Sequence, residues 1–392
     1  MQNKKNFKKI NSCRLCSSTS LKEFISFGDL PLGNNLLHTK EEAINADKYP
    51  LVVNKCTDCY HFQLGHSINP KNLYATNYTY LSSIGDSFVN HMREYAEWVN
   101  HKFNLCPDSL VIDIGSNDGL GLKFFKDLGA KVLGVDPAKF ASDIANKNNI
   151  PTINSFFTKE VVQEILKKYG HADFITSHNV FAHIDNLHDA FKNVHKLLKN
   201  SGIFIFEIGY FKNVLEKGFF DTIYHEHLDY HHSAPLINHL QSLGFEIINI
   251  STNSVQGGTL RIETRKSNLN IISQDSKNFL AEEKKSIIYD PEFLNNWKEN
   301  IKINMEILSN NIKKHLENGL KIAGYGAPTK ATLLLSLSKL SEDHIPFIFE
   351  DNNLKVGRFL PSTGIPIIST KELEFIKPDV IIIFAWNFSD NI

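Results

Sequence analysis

The sequence predicts an α/β protein of three units: a small cysteine-bearing segment, then two units in which strands alternate with helices. Three observations carry this reading. Two C-x-x-C pairs fall within the first 60 residues, short apolar runs alternate with helical periods from residue 110, and the same strand–loop–helix plan begins again at residue 320. Strands that alternate with helices pair in parallel, with helices covering both faces of the sheet. The length agrees, since 392 residues at roughly 150 per domain correspond to about 2.6 domains.

Composition narrows the function classes. With 42 Lys+Arg against 43 Asp+Glu the net charge is −1, and 42% hydrophobic and 22% charged residues are ordinary for a globular chain. Disorder, a collagen-like fibre and a basic protein that coats nucleic acid are excluded, the last because phosphate-backbone binding draws on clustered Lys and Arg. The longest apolar run, 380–386, has seven residues, against the roughly 18 to 20 that a membrane span requires. The basic N-terminus lacks the apolar stretch of a secretory signal. A soluble, cytoplasmic protein without nucleic-acid or membrane partners is expected.

The elements follow in order. Cys13-Arg-Leu-Cys16 and Cys56-Thr-Asp-Cys59 account for four of the five cysteines, leaving Cys106. In a chain without a secretory signal disulfides are disfavoured, whereas two such knuckles deliver four thiolates to a tetrahedral zinc ion. The 39 residues between the pairs imply an inserted loop. A closed site of this kind would staple a segment, residues 1–75, too small to build its own core; two redox dithiols are the alternative. In the next unit, 76–285, Phe88, Met92, Tyr95, Ala96 and Val99 share one helical face. Residues 110–114 read as a buried strand, 120–128 as a helix and 131–135 as a second strand. Further strands are expected at 174–177 and 202–207, with a helix at 187–198 between them. Helical periods through Ile301, Met305, Leu308 and Ile312 then lead into a third unit, 286–392, with strands at 320–323, 347–350 and 380–384.

Three motifs carry chemistry. Asp113-Ile-Gly-Ser-Asn-Asp-Gly119 follows a strand and opens a helix, so its glycines let the backbone approach a ligand and the helix end presents free N–H groups. The acids Asp113 and Asp118 would repel a pyrophosphate and attract a cofactor bearing an ammonium and a sulfonium. Asp136 ends the second strand, where a carboxylate can accept from both hydroxyls of a ribose. Together these resemble the S-adenosylmethionine site of class I methyltransferases. The second motif, 224–232, holds four His, two Tyr and a Glu in nine residues. In an extended segment His225 and His227 would face one side and Glu226 the other, which suits a division of labour better than a metal chelate, and His is the natural base at neutral pH. The third, Ala323-Gly-Tyr-Gly-Ala-Pro-Thr-Lys330, repeats the strand–loop–helix plan with a lysine in place of the acids, which favours an anion such as a phosphate.

In this order the motifs resemble the three-part sugar C-methyltransferases that act on nucleotide-linked keto-deoxysugars. The resemblance runs through Cys13-x-x-Cys16, Phe27-Gly-Asp-Leu-Pro-Leu, Cys56-x-x-Cys59, Tyr78-Thr-Tyr80-Leu-Ser-Ser, His91, Ile114-Gly-Ser-Asn-Asp-Gly119, Val135-Asp-Pro137 and Asn179-Val-Phe-Ala-His183. It continues through Asp221-Thr-Ile-Tyr-His-Glu-His227, Gly324-Tyr-Gly-Ala-Pro-Thr-Lys330, Glu350-Asp-Asn and Trp386-Asn-Phe. It implies a zinc-binding domain held by Cys13, Cys16, Cys56 and Cys59, a central Rossmann-like methyltransferase domain and a C-terminal Rossmann-like domain. It further implies His227 as the base, with Glu226, Tyr224, His225, His183 and Tyr78 around it. S-adenosylmethionine would meet Asp113, Gly115, Asn117, Asp118, Gly119, Asp136 and Asn179. The nucleotide-diphosphate sugar would meet Tyr80, Gly326, Lys330, Asp351 and Arg358, in a monomer or weak homo-oligomer. The sequence departs from the pattern at Gln256-Gly-Gly-Thr259, where His-Gly-Gly-Ser is usual, and at Pro328, where a small residue is usual. Alternatives are O-methylation on the same scaffold, a dehydrogenase (disfavoured by Asp118 and by the lack of a complete G-x-G-x-x-G) and a zinc-ribbon module that binds RNA.

Overall fold

A computed structural model describes residues 7–70, 73, 81–267 and 269–386. The cysteine-bearing unit contains β1 (Phe7–Lys9), β2 (Leu21–Pro31), β3 (Lys48–Cys56), β4 (Phe62–Leu64) and β5 (His66–Ile68). Strands β2, β3 and β4 form an antiparallel sheet. The two knuckles meet because β2 and β3 pair in register from Leu21 opposite Cys56.

The central unit contributes β6 (Leu110–Ile114), β7 (Lys131–Asp136), β8 (Thr152–Asn154), β9 (Ala172–His178), β10 (Leu198–Gly209), β11 (Asp229–Tyr230), β12 (Phe245–Asn253) and β13 (Thr259–Lys266). Seven of these form one sheet in the order β12-β13-β10-β9-β6-β7-β8. The run β10 to β8 is parallel, whereas β13 lies antiparallel to both neighbours. The parallel sheet expected from the sequence therefore carries an antiparallel insertion near one edge. Strand order reverses between β6 and β9, the point at which an open α/β sheet leaves a crevice for a ligand. The helix Asp86–Phe103 covers one face with Met92, Tyr95, Ala96 and Val99, the stripe expected from the sequence.

The short β11 does not join that sheet. It pairs with β4, so part of the His cluster itself completes the four-stranded sheet of the cysteine unit. Packing follows the same path: Phe24 and Phe62 meet at 5.0 Å, and Phe62 meets Phe211 of the central unit at 4.7 Å. One apolar core thus runs from Cys13 and Leu15 into the central sheet.

The C-terminal unit is a parallel sheet, β16-β15-β14-β17, of β14 (Ile322–Tyr325), β15 (Ile348–Glu350), β16 (Ile367–Ser369) and β17 (Val380–Ile383). A 27-residue helix, Pro291–Glu317, leads into it, with Asp290 capping the first turn and Pro at its start. The helix Thr329–Leu337 follows the glycine turn, where Gly326 at φ +79° sits against Ala385, with no room for a side chain.

Candidate active site

A cavity of about 1260 Å³ opens at the carboxyl ends of β6, β7 and β9, and all three units contribute to its wall. On one side lie Asp113, Gly115, Asn117, Asp136 and Asn179. Gly115 has φ +74°, and a side chain there would collide with Val180. The backbone N–H groups of Asn117 and Ala138 donate to the two oxygens of Asp136 at 2.9 and 2.7 Å. Asp113 is 4% exposed, and its Oδ1 is buried with no hydrogen-bond partner among the described residues. Burial, then the neighbouring Asp136, hold its carboxyl well above the usual range. A buried acid with an unused acceptor beside a glycine turn fits a ligand that brings a cationic donor. Asp118 and Gly119 are not on the cavity wall: Asp118 Oδ2 accepts from the Ser83 N–H at 3.1 Å, and Gly119 supplies the left-handed residue that opens the helix Leu120–Asp127.

The second side of the wall is the His cluster. Residues 224–227 form a turn, closed by the His227 N–H on the Tyr224 carbonyl at 3.0 Å, rather than the extended segment expected from the sequence. The turn puts Tyr224 and His227 together on the cavity and sends His225 and Glu226 away from it. The Tyr224 hydroxyl lies 2.8 Å from His227 Nε2, and His227 Nδ1 lies 2.8 Å from the Thr222 carbonyl. Because a carbonyl only accepts, Nδ1 carries the proton and Nε2 accepts from the phenol. Burial, then the nearby His183, push His227 down to about 3, so the ring is neutral at pH 7. His183 lies edge-on to it at 4.8 Å between ring centres, and burial lowers it to about 4.

Behind the wall, His225 Nε2 donates to the Tyr49 carbonyl at 3.1 Å, and Asn34 Nδ2 donates to Glu226 Oε1 at 3.1 Å. Both partners come from the cysteine unit. Burial lowers His225 to about 4 and raises Glu226 to about 7.

The third side comes from Pro328, Thr329, Lys330 and Trp386. The Lys330 ammonium sits 3.7 Å above the Trp386 ring, and the Trp386 indole N–H donates to Asp221 at 2.5 Å. Burial lowers Lys330 to about 8 against the opposing pull of Asp221. The other sugar contacts expected in this unit lie off the wall. Gly326 donates its N–H to Phe349, Asp351 accepts from Tyr325 and Thr370, and Arg358 meets His38. Tyr78 and Tyr80 fall outside the described residues.

Sequence reading missed a network beside the first side. Glu207 Oε2 lies 2.7 Å from His91 Nε2 and 3.1 Å from His178 Nδ1, and its Oε1 accepts from Arg261 and Asn253. These residues come from one helix and four strands, so no local motif announces them. Asn179 Nδ2 donates to Gln256 Oε1 at 2.6 Å, joining the departure at Gln256 to the same wall.

The four cysteine sulfurs lie within 4.8 Å of one another, with Cys13–Cys59 at 3.5 Å and Cys16–Cys56 at 3.6 Å. Tetrahedral zinc with Zn–S bonds of about 2.3 Å separates its sulfurs by about 3.8 Å, so the cluster fits a closed structural site.

Family models match three stretches: a zinc binding domain at 13–74, a methyltransferase domain at 88–250 and the C-methyltransferase C-terminal domain at 254–392. The C-methyltransferase NovU of Streptomyces niveus is 32% identical over 98% of this chain and 91% of its own length. Among solved structures, the chain is similar to magnesium protoporphyrin IX methyltransferase of Synechocystis with bound S-adenosylmethionine, at 17% identity over 46% of this chain and 82% of that one, TM-score 0.36. It is also similar to an S-adenosylmethionine-dependent methyltransferase of Clostridium acetobutylicum, at 14% identity over 46% of this chain and 92% of that one, TM-score 0.38. The ordered matches to zinc-binding, methyltransferase and C-methyltransferase models, with NovU similar along nearly the whole length, show that this chain belongs to the zinc-containing, S-adenosylmethionine-dependent C-methyltransferases.

Proposed function

We propose that the enzyme methylates the carbon beside the ketone of a nucleotide-linked 4-keto-deoxysugar, using three units, 1–75, 76–285 and 286–392. The observation that carries this reading is the Tyr224–His227 pair, tautomer fixed, on the wall of a cavity shared with Asp113 and Lys330. Carbon becomes nucleophilic only when a proton next to a carbonyl is removed, so the site needs a positioned base and a donor for the enolate oxygen. His227 takes the carbon-bound proton on Nε2 as the Tyr224 hydroxyl turns from that nitrogen to the enolate oxygen, while Nδ1 stays bonded to the Thr222 carbonyl. His183, neutral and edge-on to His227, lines the cavity beside it, its ring held by the Asn179 and Glu226 backbone. Glu226 and His225 hold the turn from behind, and the family resemblance alone supports a catalytic role for Tyr78 and a sugar-binding one for Tyr80. Asp113, Gly115, Asn117, Asp136 and Asn179 hold S-adenosylmethionine, with Asp118 and Gly119 shaping the loop beneath. When bound, it supplies an electrophilic methyl group that leaves with a sulfonium's positive charge neutralised on sulfur. Lys330 pairs with a diphosphate oxygen, and Gly326, Asp351 and Arg358 support that unit of the substrate site.

Positioned proton transfer contributes about 10²–10⁴-fold. His227→Ala and Tyr224→Phe are each expected to lose at least about 100-fold in kcat while binding S-adenosylhomocysteine as wild type does. In deuterium oxide without methyl donor, wild type is expected to exchange the proton beside the ketone and His227→Ala is not. An active enzyme that exchanges no proton would instead be an O-methyltransferase.

A further inference from the structure

Arg14 lies inside the first zinc knuckle, between Cys13 and Cys16, and its side chain is only 6% exposed. Its Nε–H is shared between the two oxygens of Asp229 at 2.9 Å each. One terminal nitrogen donates to the Ile184 carbonyl, and the other lies 3.6 Å from Asp185. Asp229 stands two residues after His227, and Ile184 stands one residue after His183. A single guanidinium therefore grips both chain segments that carry the cavity histidines.

The grip is anchored at each end. The Arg14 N–H donates to Gln63 Oε1 at 2.8 Å, and Gln63 Nε2 returns to the Ser12 carbonyl at 3.1 Å, so the knuckle backbone is tied to β4. On the other side, the Leu228 N–H donates to the Ala182 carbonyl at 2.7 Å, joining the two histidine segments to each other. Strand β4 in turn pairs with β11, and the Leu64 N–H donates to the Leu228 carbonyl at 2.9 Å. Zinc, by closing the knuckle around Arg14, would fix the origin of a side chain that ends beside both histidines.

We infer that Arg14 is a positioning residue for the methyl-transfer reaction: it sets the separation of His183 and His227, and through it the zinc unit aligns the active site. A planar fork holds a carboxylate and a carbonyl at fixed directions and spacing, whereas an ammonium is a single point without that span. The inference rests on the proposed roles of His183 and His227, and the test separates the two.

The test uses the zinc-loaded full chain and begins with Arg14→Lys, which keeps the buried charge opposite Asp229 and therefore the fold. Zinc content by atomic absorption and S-adenosylhomocysteine affinity by calorimetry should match wild type within about threefold. The value of kcat should fall at least about tenfold with little change in KM, since a displacement of about 1 Å can cost about 100-fold. The imidazole ¹⁵N resonances of His227 should shift, reporting a changed bond at Nδ1 or Nε2. The double variant Arg14→Met/Asp229→Asn, which leaves no charge unpaired, should bind zinc and S-adenosylhomocysteine normally and be at least as impaired in kcat. Wild-type kcat and unshifted His227 resonances in either variant would overturn the inference. If His227→Ala is inactive while Arg14→Lys is fully active, only the role of Arg14 falls; if His227→Ala retains activity, the reading of the base falls instead.

Discussion

At the scale of single residues, Asp113 has the sharpest electrostatic problem in the cavity. It is the penultimate residue of β6, lies near Asp136, and leaves Oδ1 buried without a partner among the described residues. Burial and the like charge push its carboxyl well above the usual range, toward the protonated form. A ligand that brings an ammonium and a sulfonium opposes both causes and favours the ionised form, so binding drives the carboxyl toward proton release. Calorimetry of S-adenosylmethionine binding at pH 7.5 in two buffers of different ionisation enthalpy should therefore report proton release for wild type. Asp113→Asn should bind more weakly, by about tenfold or more for a lost charge-assisted contact, and release none. Equal proton release by the two proteins would show that another group carries the change. The turn at 224–227 makes a different point about residues. Alternation along a strand would have put His225 beside His227, whereas a turn brings together residues three apart, Tyr224 and His227.

At the scale of elements, the turn Phe220–Thr222 and the helix Thr329–Leu337 meet through Asp221, Lys330 and Trp386. The Thr222 carbonyl that fixes His227 lies in the same turn, so the phosphate-side lysine and the base share one support. Lys330, lowered to about 8, is charged below that pH and neutral above it. Phosphate affinity should accordingly weaken as pH rises through about 8. In steady-state assays KM for the nucleotide sugar should climb above pH 8 in wild type and stay flat to about pH 9.5 in Lys330→Arg. Lys330→Ala should raise KM at least about tenfold at pH 7, the scale of a lost charged contact, without changing S-adenosylhomocysteine affinity. A flat KM in wild type would detach Lys330 from the substrate. Elements set by local patterns were legible in the sequence: β6, β7, their loops and the helix Asp86–Phe103 follow from apolar runs, glycine turns and one helical stripe. The strands β12 and β13 were not, because their alternation is broken by a bulge between Ile247 and Asn249 and their antiparallel place depends on partners far along the chain. The Glu207 network and the clasp of Arg14 on Asp229 are of the same kind, since residues 215 positions apart leave no periodic trace.

At the scale of the whole molecule, the units share one core, so the titration of groups behind the active site is felt as global stability. His225 and His231 are 3% and 1% exposed, and burial lowers each from 6.5 to about 4. The unfolded chain binds protons at these positions below pH 6.5 while the fold does not, so stability falls as pH drops from 6.5 toward 4. His183 and His227 act in the same sense beside these two. Glu226 pulls the other way. Burial raises its carboxyl from 4.5 to about 7, so the fold holds a proton that the unfolded chain has lost, and a penalty present above pH 7 fades as pH falls to 4.5. At 1.36 kcal/mol per pK unit, the two histidines cost about 5 kcal/mol between pH 7.5 and 4.5, and Glu226 returns about 3. Glu226 thus offsets about 3 kcal/mol of the acid loss that the buried histidines cause. Glu226→Gln keeps the oxygen that accepts from Asn34 and removes the titration. It should be about 3 kcal/mol more stable than wild type at pH 8 and equal to it near pH 4.5, so its acid loss over that range is larger by about 3 kcal/mol. Urea unfolding of the zinc-loaded proteins at these two pH values measures the difference directly. Parallel stability profiles for the two would mean that the Glu226 carboxyl is ionised in the fold, and that the carboxyl held by Asn34 is not a buried neutral acid.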